Sequence, residues 1–184
     1  MAEVSESASP TSPSNSALPG QSPSASVPPE TTALAQPLEP VLYPNRPKIG
    51  SKIGTISLPS LKLNWPIYEG TAEAQLSKGV GHYRGSVLPG AIDNAVLSGH
   101  RTTVFNRLGE LKKGDLITVK TSAGYFTYKV RAFKVVKRTD RTVIVPTETA
   151  VLTLTTCYPF NNIGATTKAY IVSADLLRSN LTKP

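Results

Sequence analysis

The chain has 184 residues, of which 20 are Lys or Arg and 12 are Asp or Glu, giving a formal net charge of +8 and room for one domain. Its single cysteine excludes an intramolecular disulfide, and one Cys with two His lacks the paired ligand spacing of a zinc site, so neither a metal nor another cofactor is expected. No run approaches the roughly 18 apolar residues of a membrane-spanning helix, and there is no signal-peptide pattern, Gly-rich phosphate loop or Gly-x-Ser-x-Gly elbow.

The first 40 residues differ in kind from the rest. They hold 8 of the 16 prolines, 9 serines and four glutamates, with no aromatic residue and no Lys or Arg. Such a composition cannot bury enough apolar surface to offset the entropy of ordering. Residues 1–45 are therefore expected to be a disordered linker, and residues 46–184 a folded domain. Met1 and Ala2 run straight into this tail, which points to a native N-terminal segment, with its membrane anchor, that the given sequence does not include. Without the tail, 20 basic and 8 acidic residues remain, an excess of +12. That excess would suit nucleic acid, anionic lipid or a polyanionic cell wall. Only Lys112-Lys113 and the stretch from Lys134 to Arg141 are dense, and no aromatic stacking motif accompanies them, so no nucleic-acid partner is expected.

From Lys52 onward, β-branched and aromatic residues fill short runs bounded by Gly, Pro, Asn or Asp. Strands are expected at Ile53–Leu58, Leu61–Tyr68, Ala95–Ser98, Leu116–Thr121, Tyr125–Arg138, Val143–Val145, Val151–Thr156 and Tyr170–Ala174. In the fifth, Phe126, Tyr128, Val130 and Ala132 alternate with Thr127, Lys129 and Arg131, the period of a half-buried antiparallel strand. Helix is confined to Thr71–Lys78, with Thr71 as N-cap and Gly79 as its stop, and to Thr103–Leu111. Eight short strands and few helices argue for a mainly β fold, an eight-stranded barrel closed or nearly so.

Chemistry concentrates at two strand ends. Cys157 closes Leu152-Thr153-Leu154-Thr155-Thr156-Cys157, and the Tyr158-Pro159-Phe160 that follows cannot continue a central strand, because proline has no N–H to give. His100, 57 residues earlier, closes Ala95-Val96-Leu97-Ser98-Gly99-His100 in the same manner, before Arg101-Thr102-Thr103. A lone cysteine in a strand is most often a small buried hydrophobe. At a strand exit it can instead meet a ligand, and imidazole is the usual group that makes a thiol nucleophilic. Cys157 and His100 are thus the candidate catalytic pair. His82, between glycines in Gly79-Val80-Gly81-His82-Tyr83, reads as structural and packed in a turn.

Several segments together resemble the sortases, cysteine transpeptidases of the Gram-positive cell surface: IGTISLPSLKLNWPIYEGT, KGVGHYRGSVLPG, LSGHR, TVFNRLGELKKGDLITV, TVIVP and TLTTCYPF. The resemblance runs from Pro47 to Leu177, and the CYPF and FNRLGELKKGD segments are most similar to class D sortases of the Bacillus type. It implies an eight-stranded sortase-type β-barrel in which Cys157 attacks the Thr–Gly carbonyl of an LPxTG-like sorting signal and forms a thioacyl enzyme. His100 would protonate the departing glycine amine and then take a proton from the acceptor amine of a peptidoglycan precursor or pilin. In the family the active pair is thiolate with imidazolium, a minor form at neutral pH, which implies slow turnover. Thr155, Thr156, Ser98 and Tyr158 are expected to line the substrate groove, and Asn161–Thr167 to form a loop beside it. The implied location is the extracellular face of the cell membrane or the cell wall.

The family's third residue is an arginine on the last strand, whose guanidinium steadies the substrate carbonyl and the developing oxyanion. Here Ala169 stands at that position. Lys168 is adjacent, but side chains alternate faces along a strand, so it should point away if Ala169 points in. Arg101, beside His100, is a second cation to which the family assigns no such role. The expected consequence is a weakened transpeptidase. The alternative is a barrel that has lost catalysis and binds sorting peptides or anionic wall polymer. An L,D-transpeptidase would carry a Ser-His-Gly-Cys cluster, which this chain lacks.

Overall fold

The computed structural model describes residues 41–161 and 164–182. The linker expected at residues 1–45 thus lies outside the described residues up to residue 40, as do positions 162 and 163 of the loop expected at 161–167. Eight strands follow in chain order: β1 (Lys52–Leu58), β2 (Leu63–Glu69), β3 (Val80–His82), β4 (Asp93–Ser98), β5 (Leu116–Thr121), β6 (Gly124–Lys137), β7 (Ala150–Tyr158) and β8 (Lys168–Leu181). They close into a barrel in the order β1-β2-β3-β4-β7-β8-β6-β5. Closure leaves no unpaired sheet edge to cover. The β2/β3 and β4/β7 pairs are parallel and the other pairs antiparallel.

Alternation selects what faces inward. Ile56 and Leu58 of β1, Ile67 of β2, Leu97 of β4, Ile117 and Val119 of β5, Phe126 and Tyr128 of β6, Leu152 and Leu154 of β7, and Val172 and Ala174 of β8 meet in one core. Each large apolar side chain buried there contributes about 1.5–3 kcal/mol. Tyr128 is tolerated inside because its hydroxyl accepts the Gly90 N–H at 2.7 Å, while burial pushes its phenol pKa up. Tyr43 ties residues ahead of β1 to the barrel. Its hydroxyl donates to the Pro89 carbonyl at 2.6 Å and lies 2.8 Å from Thr121 Oγ1, and burial pushes its pKa up to about 12.

Three expected elements differ. Val143–Val145 forms no strand, and Ile144 and Val145 are exposed: β-branched residues without a partner strand do not make one. The eighth strand is β3, where His82 lies in a buried strand rather than a turn. The helix expected at Thr71–Lys78 is a single turn, α1 (Glu73–Leu76), whose N-cap is Ala72 and not Thr71, with no capping side-chain bond. The helix expected at Thr103–Leu111 is a series of turns ending in a 3-10 turn at Leu108–Glu110. There Val104, Phe105, Leu108 and Leu111 all insert into the core, and that anchoring replaces helical hydrogen bonding.

Candidate active site

Adjacent strands β7 and β8 carry Cys157 and Ala169 at one end of the barrel, and His100 follows the end of neighbouring β4. The parallel register pairs Val96 with Thr153 and Ser98 with Thr155. β4 ends at Ser98, so His100 follows it by two residues, as Cys157 follows Thr155 by two on the adjacent strand, and neighbouring strands lie about 4.8 Å apart. Two bonds hold this junction beyond the end of β4: Gly99 N–H donates to the Thr155 carbonyl at 3.1 Å, and Thr156 Oγ1 donates to the Gly99 carbonyl at 2.7 Å. Gly99 has no room for a side chain, because a Cβ there would meet Val104 Cγ2 at 2.5 Å and the Phe105 ring at 2.6 Å.

On its other side Cys157 is the direct partner of Ala169 in the antiparallel β7/β8 ladder. Directly opposed residues share a face, and the core-facing set is Leu152, Leu154, Val172 and Ala174. Cys157, Thr155 and Ala169 therefore face away from the core together, with Ser98 on the same side through its pairing with Thr155. Thr156 is turned inward and spends its hydroxyl on Gly99. Tyr158 also lies on the opposite face from Cys157, in an aromatic cluster with Phe160 (5.9 Å between ring centroids) and Tyr170 (6.1 Å). Lys168 pairs with Tyr158, so its side chain leaves from that opposite face. Desolvation by burial raises the Tyr170 pKa, and the neighbouring Tyr158 adds to it, so this phenol stays neutral.

The thiol is free and half-buried. Among the described residues no hydrogen bond joins it to His100, whose Nε2 lies instead 3.2 Å from Glu73 Oε1 of α1. Catalytic hydrogen bonds are often loose without substrate and tighten on binding. Arg101 is 7% exposed and turns toward the β7–β8 connection, donating from its terminal nitrogens to the Gly164 carbonyl at 2.6 Å and to Thr166 Oγ1 at 3.3 Å, while its Nε is buried without a partner. Sequence reasoning missed Glu73, because nothing local links it to a histidine 27 positions later. It also missed a fully buried pair between β2 and β3: His82 Nδ1 lies 2.6 Å from Glu69 Oε2, and Arg46 Nε donates to Glu69 Oε1 at 3.3 Å. No cluster of three metal-ligating side chains occurs among the described residues. A cavity of about 1140 Å³ lies at the far end of the barrel, between Tyr43, Ile92, Phe126 and Leu176, and is lined by neither Cys157 nor His100.

A free, half-buried thiol near the end of β7 and an imidazole just past the end of β4 thus stand on adjacent strands of a closed eight-stranded barrel. The sequence matches the family model of the sortase domain over residues 56–177, and the chain belongs to the sortase family. It is 44% identical to Sortase D of Bacillus subtilis over 128 residues, covering 69% of this chain and 65% of that protein. With Sortase A of Listeria monocytogenes it shares 30% identity over 136 residues, 71% of this chain and 60% of that one. The chain thus spans somewhat under two thirds of the length of these relatives. Among solved structures, a Clostridium perfringens Sortase D5 transpeptidase superposes with a TM-score of 0.66 at 26% identity, covering 72% of this chain and 83% of that one. Sortase A from Corynebacterium diphtheriae gives 0.64 at 31% identity, covering 70% and 61%.

Proposed function

We propose that the chain is a sortase-type cysteine transpeptidase acting on an LPxTG-like sorting signal. Cys157, as thiolate, attacks the carbonyl carbon of the Thr–Gly bond. The C–N bond then breaks, His100 gives its proton to the departing glycine amine, and a thioester to Cys157 remains. An acceptor amine of a peptidoglycan precursor or pilin attacks that thioester, returns a proton to His100 and regenerates the thiolate. No oxidant or external cofactor is needed. The protein works at the extracellular face of the membrane or in the cell wall, where both substrates are found.

The observation that carries this reading is the pairing of Cys157 with Ala169 on one face of the β7/β8 ladder, with Thr155 and Ser98 on that face and His100 two residues past the end of the adjacent β4. Ala169 also limits it. Without a guanidinium opposite the thiol, charge on the carbonyl oxygen has one donor fewer, and turnover is correspondingly weak. The same alanine favours a second reading, a barrel that holds sorting peptides without turning them over.

Incubation with an LPxTG peptide and a small amine tests the two. Cleavage between Thr and Gly with amine-linked product is expected, lost in Cys157→Ala and reduced at least about 10²-fold in His100→Ala. Peptide binding with no cleavage by the natural chain supports the binding module instead.

A further inference from the structure

The contact between His100 and Glu73 has a role that follows from how it is built. Glu73 opens α1, the single turn between β2 and β3. That turn is seated firmly: a Cβ on Gly81 of β3 would meet the Gly70 carbonyl oxygen at 2.5 Å and Leu76 Cδ2 at 2.8 Å, so only glycine lets α1 pack so close. Gly70 N–H donates to the His82 carbonyl at 3.0 Å, and Glu69 immediately before it is locked in the buried contact with His82 and Arg46. α1 is therefore held against the strand next to β4, and its first residue reaches the imidazole that follows β4.

We propose that Glu73 is a positioning residue for His100, resting on the sortase reading above. An ionised carboxylate only accepts hydrogen bonds, so the proton at this contact belongs to Nε2 of the ring. One imidazole nitrogen's partner sets what the other can do. With Nε2–H held by Glu73, Nδ1 is the nitrogen left for the reacting groups. It gives its proton to the departing amine and takes one from the acceptor amine, while the Nε2 proton and the Glu73 charge stay in place throughout. Of the other ionisable groups nearby, Cys157 belongs to the strand adjacent to β4, and Arg101 is turned away to Gly164 and Thr166.

The test compares the natural chain with Glu73→Ala and Glu73→Gln, which keeps an acceptor oxygen but no charge. Nitrogen-15 NMR of the ring reads the contact without any substrate: a protected Nε2–H signal of His100 is expected, lost in Glu73→Ala. With a sorting peptide and amine, kcat should fall about fivefold in Glu73→Ala, as for an exposed ion pair, with KM within twofold and partial recovery in Glu73→Gln. An Nε2–H signal unchanged in Glu73→Ala overturns the proposal. So does a lost signal with unchanged kcat, or a changed KM alone. If the signal is lost as expected but no form turns over any sorting peptide, the contact stands and the sortase reading fails.

Discussion

Ala169→Arg should raise the rate of sorting-peptide turnover at least tenfold, toward the ~10²–10³ typical of restoring one oxyanion donor. The register is the reason. Ala169 is the Cα partner of Cys157, and opposed residues in an antiparallel pair have their Cβ atoms about 5 Å apart on one face. An arginine there extends along the face that carries the thiol, its planar fork free to meet a carbonyl oxygen beside the sulfur. Lys168 cannot substitute, since it leaves from the face of Tyr158. Arg101 cannot either while its terminal nitrogens hold Gly164 and Thr166. Ala169→Gln, a donor without charge, should recover less. Steady-state rates on one peptide decide the matter, and an unchanged rate in Ala169→Arg refutes the assignment of position 169.

The largest expected loss of stability is at the buried carboxylate. Glu69→Ala should cost about 3–5 kcal/mol, the usual consequence of removing one partner of a buried ionic pair. Glu69 and His82 side chains are both 0% exposed. Without the carboxylate, Nδ1 loses its 2.6 Å partner, and Nε2, 2.9 Å from the Val87 carbonyl, is the ring's remaining strong polar contact. Arg46 suffers less, because it is partly exposed and keeps its bonds to the Arg84 and Ser86 carbonyls. Replacing both buried members, Glu69→Leu with His82→Leu, should cost less than the sum of the single changes. Urea denaturation reads both. A loss under about 1 kcal/mol for Glu69→Ala contradicts the weight given to this pair.

What the sequence made legible follows period and position. Alternation along Phe126 to Ala132 and the apolar runs at Ala95–Ser98 and Val151–Thr156 revealed most of the barrel, because each buries one face against a core. Val80–His82 was hidden. Glycine is a poor strand former, and Gly81 is there for the close approach of α1, a tertiary demand with no local signature. Val143–Val145 misled for the converse reason, having propensity without a partner. Cys157 and His100 stood out as candidates because each lies where a strand gives way to a break, and Ala169 because the family resemblance pointed to its position. Thr155 and Thr156 could not be separated until the register assigned one to Cys157's face and the other to the interior. Glu73 and the Glu69–His82 pair depend on chain segments that meet only once the barrel closes.

Cys157 is proposed as the nucleophile of a sorting-signal site. Its most direct test is mass spectrometry after exposure to a peptide carrying an LPxTG-like signal with a chloromethyl ketone at the scissile position. One covalent adduct is expected on Cys157, formed by displacement of chloride, absent in Cys157→Ala and much slower with a scrambled peptide or in His100→Ala. Equal labelling by the signal and the scrambled sequence, in both the natural chain and Ala169→Arg, would contradict it.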